Sequence, residues 1–592
     1  MKYKILEQNH SESALFNILN NRGITDPNHY LHTTNNDINS PLLLGEERLQ
    51  KAMNMLLNVI DTNEDLYIVV DCDMDGFSAA ALLGNWLYKK FPDWTPDHVH
   101  YYHHGTKAHG LADCIDFLEQ QPIKLVICPD SASNDLDEQL RLKAKGINCF
   151  CLDHHNGVVN ESETPAVVIS NNITYTDSQN VYPNKDVSGV YITWQFCRYL
   201  DAHFGTNFAD QMLDLVIVGD IADVMNLVNN YELRRLLDIV EVEGASNPLI
   251  KMILNKNEYT TSGKLNAKTC GWTIGPAINA VIRLGSLEEK KLLFDSMLEY
   301  KSARQVPSKK RGHKAGETES ITVQAVRLCD SLRRKQNKIR DQLVDEIDNI
   351  IKEKNLLQNK ILLVKIDDPT DDGRAITGLI ANKLMSQYGH PVMLLNETTD
   401  PDTGKLLWSG SARNNPLWGV RSLQQLAKDS GDFTLAEGHD NACGIALYDS
   451  NIKSFIDWSN EKLKDYNFVP EYDIDLVISA DSTNDLDILE IADYENLWGQ
   501  GIDEPLVLAK DFKITKDKIH LFGASTLKFN LTDTLSAIKF KSSQEEFERL
   551  NPKDGYITVN IIGTCKRNTG WDNGPEILIT DYEITNRQEY YF

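Results

Sequence analysis

No Cys-x-x-Cys occurs in this chain, and of its ten cysteines only Cys149 and Cys151 lie close together. That spacing is neither a disulfide framework nor a zinc site, and it fits a reducing compartment. No run of about 18 apolar residues appears, so no membrane span is expected. The opening MKYKILEQNHSES lacks an apolar signal core and a small-residue cleavage site, so a cytoplasmic location is expected. Internal repeats and low-complexity tracts are also missing. Positive charge is scarce: 60 Lys and Arg stand against 86 Asp and Glu, a formal net charge of −26. This balance argues against a general polyanion binder. It leaves room for a basic channel in an acidic shell, and a carboxylate metal site itself adds negative charge.

The 592 residues are enough for several domains, and the 41% hydrophobic content is ordinary for globular protein. Residues 301–340 are the basic exception. Lys301, Arg304, Lys309, Lys310, Arg311, Lys314, Arg327, Arg333, Arg334, Lys335, Lys338 and Arg340 face only Glu317, Glu319 and Asp330 there. A solvated loop and helix face explains them as well as a strand-binding channel does.

Apolar runs at 65–70, 122–130 and 147–153 each close on acidic residues, and a helix-like stretch follows the first, from Phe77 to Phe91. Buried strands alternating with helices predict an α/β fold with a parallel sheet, in which ligands gather at the carboxyl ends of the strands. From Ile321 the apolar positions Ala325, Leu328, Leu332, Ile339, Leu343, Ile347 and Ile350 predict a long amphipathic helix joining two lobes. Residues 360–448 read as α/β again. Residues 468–592 carry short alternating strands and predict a small β-barrel.

Asp71-Cys72-Asp73-Met74-Asp75-Gly76 is the sharpest feature. Three carboxylates at alternate positions repel one another unless cations or protons lie between them, and hard oxygen donors suit Mg²⁺ or Mn²⁺. Gly76 would permit a tight turn into the next helix. A calcium loop of the EF-hand type wants Glu six residues after the glycine, where this chain has Leu82. An acidic turn without metal is the remaining plain reading. Asp153-His154-His155 can offer one imidazole to a metal and keep another for substrate, although a His pair is often only a surface feature. Asp130, and Asp223 in the segment 218–224, add two more carboxylates. This set predicts a two-metal site, with ions about 3.5–4 Å apart, for phosphodiester hydrolysis.

The four acidic segments resemble, in order, the motifs of the DHH phosphoesterase superfamily. Further stretches resemble its RecJ branch, which cuts single-stranded DNA from one end. They are Arg22 to Pro27 with Pro41-Leu42, the segment 275–280 with Arg283, Gly410-Ser411-Ala412-Arg413, the segment 437–444, and Leu497 to Pro505. The resemblance covers nearly the whole chain. It implies a lead-in at 1–60, a DHH domain at 61–300, a basic loop and connecting helix at 301–358, a DHHA1 domain at 359–466 and an OB-fold domain at 467–592.

Carried onto this sequence, the resemblance implies two Mn²⁺ or Mg²⁺ ions held by Asp73, Asp75, Asp130, His154 and Asp223. Asp71 would bridge or support them, and His155 would contact the scissile phosphate. Ser411 and Arg413, with Arg283 assisting, would hold a terminal phosphate. Gly438 and His439 would line the second lobe, unless His439 is only structural beside a turn glycine. His104, Lys107 and His109 in the first lobe and Lys566, Arg567 and Trp571 in the barrel complete the expected nucleic-acid contacts; for Trp571 core packing is an equal alternative. The expected protein is a monomer that binds single-stranded DNA and digests it from the 5′ end. A single-stranded-DNA-binding protein or a helicase is its expected partner.

Three departures mark a divergent branch, phage or prophage in character. His104 stands where the family has Arg, Ala277 replaces another Arg, and Ser131-Ala132-Ser133 follows Asp130 without the usual Gly. Two rival readings remain. One is a DHH phosphodiesterase for short RNA or cyclic dinucleotides, which would not need the third domain. The other is a retired replication scaffold, which would lack a metal ligand.

Overall fold

The apolar runs that close on acidic residues are strands of one parallel sheet. Its strands are β1 (Asp65–Val70), β2 (Val99–His103), β3 (Ile123–Pro129), β4 (Asn148–Asp153) and β5 (Val167–Ser170), in the order β2-β1-β3-β4-β5. The computed structural model describes residues 1–7, 13–105, 108–366, 370–400, 403–480, 485–568 and 573–589. The chain divides into two units, one of residues 15–333 and 494–504, the other of 1–14, 334–493 and 505–592.

In the first unit, Leu66 lies opposite Leu125, Ile68 opposite Ile127, and Cys128 opposite Cys151. This register brings the ends of β1, β3 and β4 alongside one another, so Asp71, Asp130 and Asp153 leave the sheet at the same edge. Helix α1 (Met74–Lys90) is buried from Met74 through Leu87, as a helix apolar all round must be. Its small residues set how near it comes to the sheet: a Cβ on Gly84 would lie 2.3 Å from Tyr101 Oη. Helices α2 (Gly189–Phe204) and α3 (Leu213–Ala222) pack against α1. None of the ten cysteines forms a disulfide. Cys128 joins Cys149 and Cys151 in a buried cluster with Val126, Leu142 and Val168, a neighbourhood that linear spacing hid.

Next in the chain are α4 (Gly275–Leu284), entered through a π turn at Cys270–Ile274, and α5 (Ile321–Glu353). The helix α5 forms as expected, but of the expected apolar positions only Ala325, Leu332 and Ile347 are buried. Leu328, Ile339, Leu343 and Ile350 are half-buried, Ile321, Val344 and Ile351 are buried beside them, and the division between the units falls within this helix.

The second unit holds two larger sheets and one two-stranded pair. The first has strands β6 (Leu362–Ile366), β7 (Val392–Thr399), β8 (Leu406–Arg413), β9 (Phe433–His439) and β10 (Ala442–Tyr448), in the order β6-β7-β8-β10-β9, over a core that includes Trp408, Leu423 and Phe455. The second has seven strands: β11 (Leu476–Ser479), β12 (Leu506–Thr515), β13 (Ile519–Phe522), β14 (Thr526–Asn530), β15 (Ser536–Phe540), β16 (Gly555–Arg567) and β17 (Pro575–Glu589). Its order is β11-β12-β16-β17-β15-β14-β13. The expected barrel is therefore an OB-like sheet that stays open, because β11 and β13 form its two edges and do not pair. Bulges between Ala509 and Phe512 and after Thr558 and Ile562 supply bending. Strand Lys2–Ile5 pairs in parallel with Glu471–Ile474 in this unit, whereas residues 15–60 belong to the first. Among the described residues no helix is long and apolar enough to cross a membrane.

Candidate metal centre

Asp71 and Asp73 follow β1 directly, and Asp73 caps α1, its Oδ1 accepting the Gly76 N–H at 3.0 Å. Gly76 lies inside the helix with an ordinary backbone, so the turn expected there is not its reason. A Cβ at Gly76 would come within 2.5 Å of Asp71 Cβ, and only glycine lets α1 begin this near the strand end. Asp75 reaches the first turn of α2. Its Oδ1 accepts from Ser188 Oγ and Val190 N, both at 2.9 Å, and its Oδ2 accepts from Gly189 N at 2.7 Å. A carboxylate suits the positive end of a helix.

Asp130, just past β3, has a left-handed backbone (φ 66°), as does Ala132 (φ 69°), and its N–H donates to Leu152 O at 2.7 Å. The turn folds the carboxyl inward against Gly189, where a Cβ would lie 2.4 Å from Asp130 Oδ1. That buried oxygen accepts no hydrogen bond. Asp223 ends α3. His154 Nε2 lies 3.3 Å from Asp130 Oδ1, 3.4 Å from Asp223 Oδ2 and 3.8 Å from Asp75 Oδ2.

Three groups of donors, each within 4.8 Å, overlap here: Asp71, Asp73 and Asp130; Asp75, His154 and Asp223; Asp130, His154 and His155. All seven expected centre residues thus meet. Withdrawal from water, reinforced by the charge of Asp75, raises Asp73 to about 6, Asp223 to about 8 and Asp130 well above the carboxylate range. These are carboxylates short of positive charge, and divalent cations with oxygen and imidazole ligands would supply it. Burial lowers the pKa of His154, which favours the neutral, ligating imidazole. The donor set, the crowded charge and the orphan Asp130 oxygen all fit Mn²⁺ or Mg²⁺.

Asp153 is visible in the sequence, but its role emerges only in the fold. Its Oδ1 accepts the N–H groups of His154 (2.8 Å) and His155 (3.1 Å) and lies 2.7 Å from His155 Nδ1. Burial alone would raise its pKa, but hydrogen bonding to His155 and that ring's charge hold it well below the carboxylate range. The same hydrogen bond raises His155 to about 9, and the ring is half exposed. Ser188, Gly189 and Gly219 were also missed. No linear signal ties them to Asp75, which they touch only in the fold.

The expected nucleic-acid contacts fare differently. His109 joins the centre, its Nδ1 2.5 Å from Asp71 Oδ2, and Arg283 on α4 feels the charge of Asp73. His104 is placed differently: its side chain is fully buried and its Nδ1 is 2.6 Å from Asp113 Oδ1. In the second unit Arg413 and His439 both lie opposite Ala442 across β8-β10-β9, and Gly438 is at φ 119°. A Cβ on Gly378 would lie 2.3 Å from Arg413 Nη2 and 3.5 Å from Ser411 Oγ, so both side chains lie over the first turn of helix Thr377–Tyr388. Arg567, the last residue of β16, already pairs with Asp493 (Nε to Oδ1 2.8 Å), and Lys566 precedes it on that strand. Lys107 and Trp571 lie outside the described residues.

Acids answer part of the basic segment. Lys301 and Arg304 meet Asp295, Arg327 meets Glu319, and Lys335 meets Asp372. Lys309, Lys310, Arg311 and Lys314 stand exposed on the loop between strands Gln305–Pro307 and Thr318–Ser320.

Residues 65–219 match the DHH family, N-terminal domain. The chain is 32% identical over 597 residues to the SPbeta prophage-derived protein of Bacillus subtilis strain 168 named as a single-strand DNA-specific exonuclease, YorK, covering 100% of this chain and 99% of that one. It is 24% identical to the single-stranded-DNA-specific exonuclease RecJ of Haemophilus influenzae, over 87% of each chain. In structure it is similar to RecJ of Thermus thermophilus in complex with Mn²⁺, with a TM-score of 0.65 and 17% identity, over 99% of this chain and 80% of that one. With 32% identity along its full length to YorK, and a DHH-domain match over residues 65–219, the chain belongs to the RecJ-like branch of the DHH family.

Proposed function

We propose that this protein is a divalent-metal-dependent exonuclease that hydrolyses single-stranded DNA, working from the 5′ end and releasing mononucleotides. The carrying observation is the overlap of the donor groups at Asp130 and His154, which gives room for two cations sharing ligands. Its relatives are named single-strand-DNA-specific exonucleases, and solved structures of similar fold are RecJ with Mn²⁺ and RecJ with Mg²⁺.

In this reading Asp73, Asp75, Asp130, His154 and Asp223 hold the cations, and Asp71 supports them while fixing His109. Such a pair supplies a nucleophilic water near neutral pH and offsets charge on the attacking and leaving oxygens of a phosphodiester. The chain's own part is to place the groups. Asp153 turns the half-exposed His155 toward the scissile phosphate, keeping its Nδ1 proton inward and leaving Nε2 for the phosphate. Hydrolysis adds water across one P–O bond, leaving a phosphate on one product and a hydroxyl on the other.

We assign the terminal phosphate, or the backbone beside it, to Ser411 and Arg413 over the start of helix Thr377–Tyr388. Helix N–H groups and a planar guanidinium are both suited to phosphate oxygens there. Digestion of strands labelled at either end, in Mn²⁺ and in chelator, tests the assignment. Early loss of the 5′ label with Mn²⁺ is expected. Early loss of the 3′ label, with a ladder retained at the 5′ end, would reverse the direction.

A further inference from the structure

Helix α3, which ends at Asp223, has a neighbour that the metal chemistry does not use. The π turn Cys270–Ile274 seats directly against its last turn: a Cβ on Gly271 would touch Ile221 Cγ2 at 3.7 Å, and one on Gly275 would touch Ala222 Cβ at 3.9 Å. Single π turns inside helices are frequent at functional sites. This one carries Trp272, whose side is open to water at 77% exposure, whereas Trp86 and Trp194 in the same unit are wholly buried. On the other side of α3's end, Val224 holds a left-handed backbone (φ 61°), a costly conformation for a β-branched residue.

Between Val224, Trp272 and Trp498 opens a cleft of about 460 Å³, within the size range of small-ligand sites. Its charge is informative. Glu495, Asp503 and Glu504 line it, and Lys268, the one cation in the lining among the described residues, lies 3.7 Å from Glu504. Arg333 and Arg22 donate to the backbone carbonyls of Trp272 and Asp503 from outside the lining. A phosphate is repelled by such walls. A flat neutral ring is not: it can stack on the indole, and carboxylates accept from the exocyclic amines of bases.

We propose that this cleft receives one nucleobase of the strand being cut, stacked on Trp272, while the phosphate next to it lies at the carboxylate–His cluster. The proposal rests on the nuclease reading. It assigns to the chain a base-side contact one residue beyond the ligand Asp223.

The test uses single-turnover cutting of single strands carrying one abasic residue at each of the first four positions in turn. The wild type should slow about tenfold when the missing base is the one that fills the cleft. Trp272→Ala should slow by a similar factor on intact strands and lose that position dependence, while Trp272→Phe, which keeps a stacking ring, should retain most of both. Wild-type cutting by Trp272→Ala, or an unchanged abasic profile in it, would overturn the proposal. If the wild type cuts no strand at all, the nuclease reading falls on its own. The cleft is then judged by quenching of tryptophan fluorescence by an oligodeoxynucleotide. Weaker quenching in Trp272→Phe supports it, and equal quenching refutes it.

Discussion

Asp153 and His155 are joined by a 2.7 Å contact between Oδ1 and Nδ1, and the same oxygen accepts the backbone N–H groups of both His154 and His155. One buried carboxylate therefore orients both histidines together, the proposed metal ligand and the proposed phosphate contact. Asp153→Ala should lower activity about 10–100-fold and raise the Mn²⁺ concentration needed for half-maximal rate. Asp153→Asn, which keeps an acceptor oxygen, should lose less. An Asp153→Ala enzyme with wild-type metal dependence would remove this role.

Asp130 is the cleanest probe of the cations. Its buried Oδ1 accepts no hydrogen bond, although His154 Nε2 lies 3.3 Å away, so Asp130→Ala removes a proposed ligand without breaking a hydrogen bond of that atom. The metal-free variant should be at least as heat-stable as the wild type, because a crowded carboxylate is gone. Mn²⁺ should raise the wild-type melting temperature, by linkage of binding to folding, and raise the variant's less. Differential scanning calorimetry with and without metal reads both effects. Asp75 is a poorer choice, since its three bonds to the start of α2 make Asp75→Ala cost stability as well, on the order of 1 kcal/mol.

The pair Glu319–Arg327 gives a pH dependence remote from the centre. Hydrogen bonding to Arg327 depresses Glu319 to about 2, against about 4.3 for a free Glu. A depressed carboxylate contributes stability that is fully present above the unfolded pKa and is lost as pH falls through the folded one. Glu319→Gln should therefore lower the melting temperature at pH 7 and differ little from the wild type near pH 2. An equal difference at both pH values would show that the pair carries no charge-dependent stability.

Arg413→Ala should reduce cutting of strands with a 5′ phosphate more than of strands with a 5′ hydroxyl. The motivation is the Arg413 and Ser411 pair over the helix Thr377–Tyr388. A loss of about tenfold in the ratio is expected for one charge-assisted contact. Because His104 is locked to Asp113, that ratio should not depend on His104, and equal losses on both strands would move the phosphate elsewhere.

Most of the centre was legible because its proposed ligands sit where short apolar strands stop; Asp223, at the end of helix α3, is the exception. Asp71 to Asp75, Asp130 and Asp153 to His155 each follow a strand of the same sheet, so alternation of pattern was enough to group them. The residues that shape it were not legible. Gly189 matters because Asp130 Oδ1 would meet its Cβ, and Ser188 because it bonds Asp75 from 113 positions away, relations that exist only after α2 folds back. The placement of His104 was hidden for a related reason: its place in a motif implied a ligand contact, while Asp113, nine residues on, turns it inward. Alternating strands after residue 468 announced a β domain but carried no sign of whether β11 and β13 would close it.

The most direct test is the single-turnover digestion of end-labelled single-stranded DNA by the wild type and by Asp130→Ala, in Mn²⁺ and in chelator. Rapid cutting by the wild type in Mn²⁺ is expected, with chelator and Asp130→Ala each reducing it to below about 1%. Cutting by Asp130→Ala within a few-fold of the wild type, or undiminished cutting in chelator, would contradict the metal-centre account.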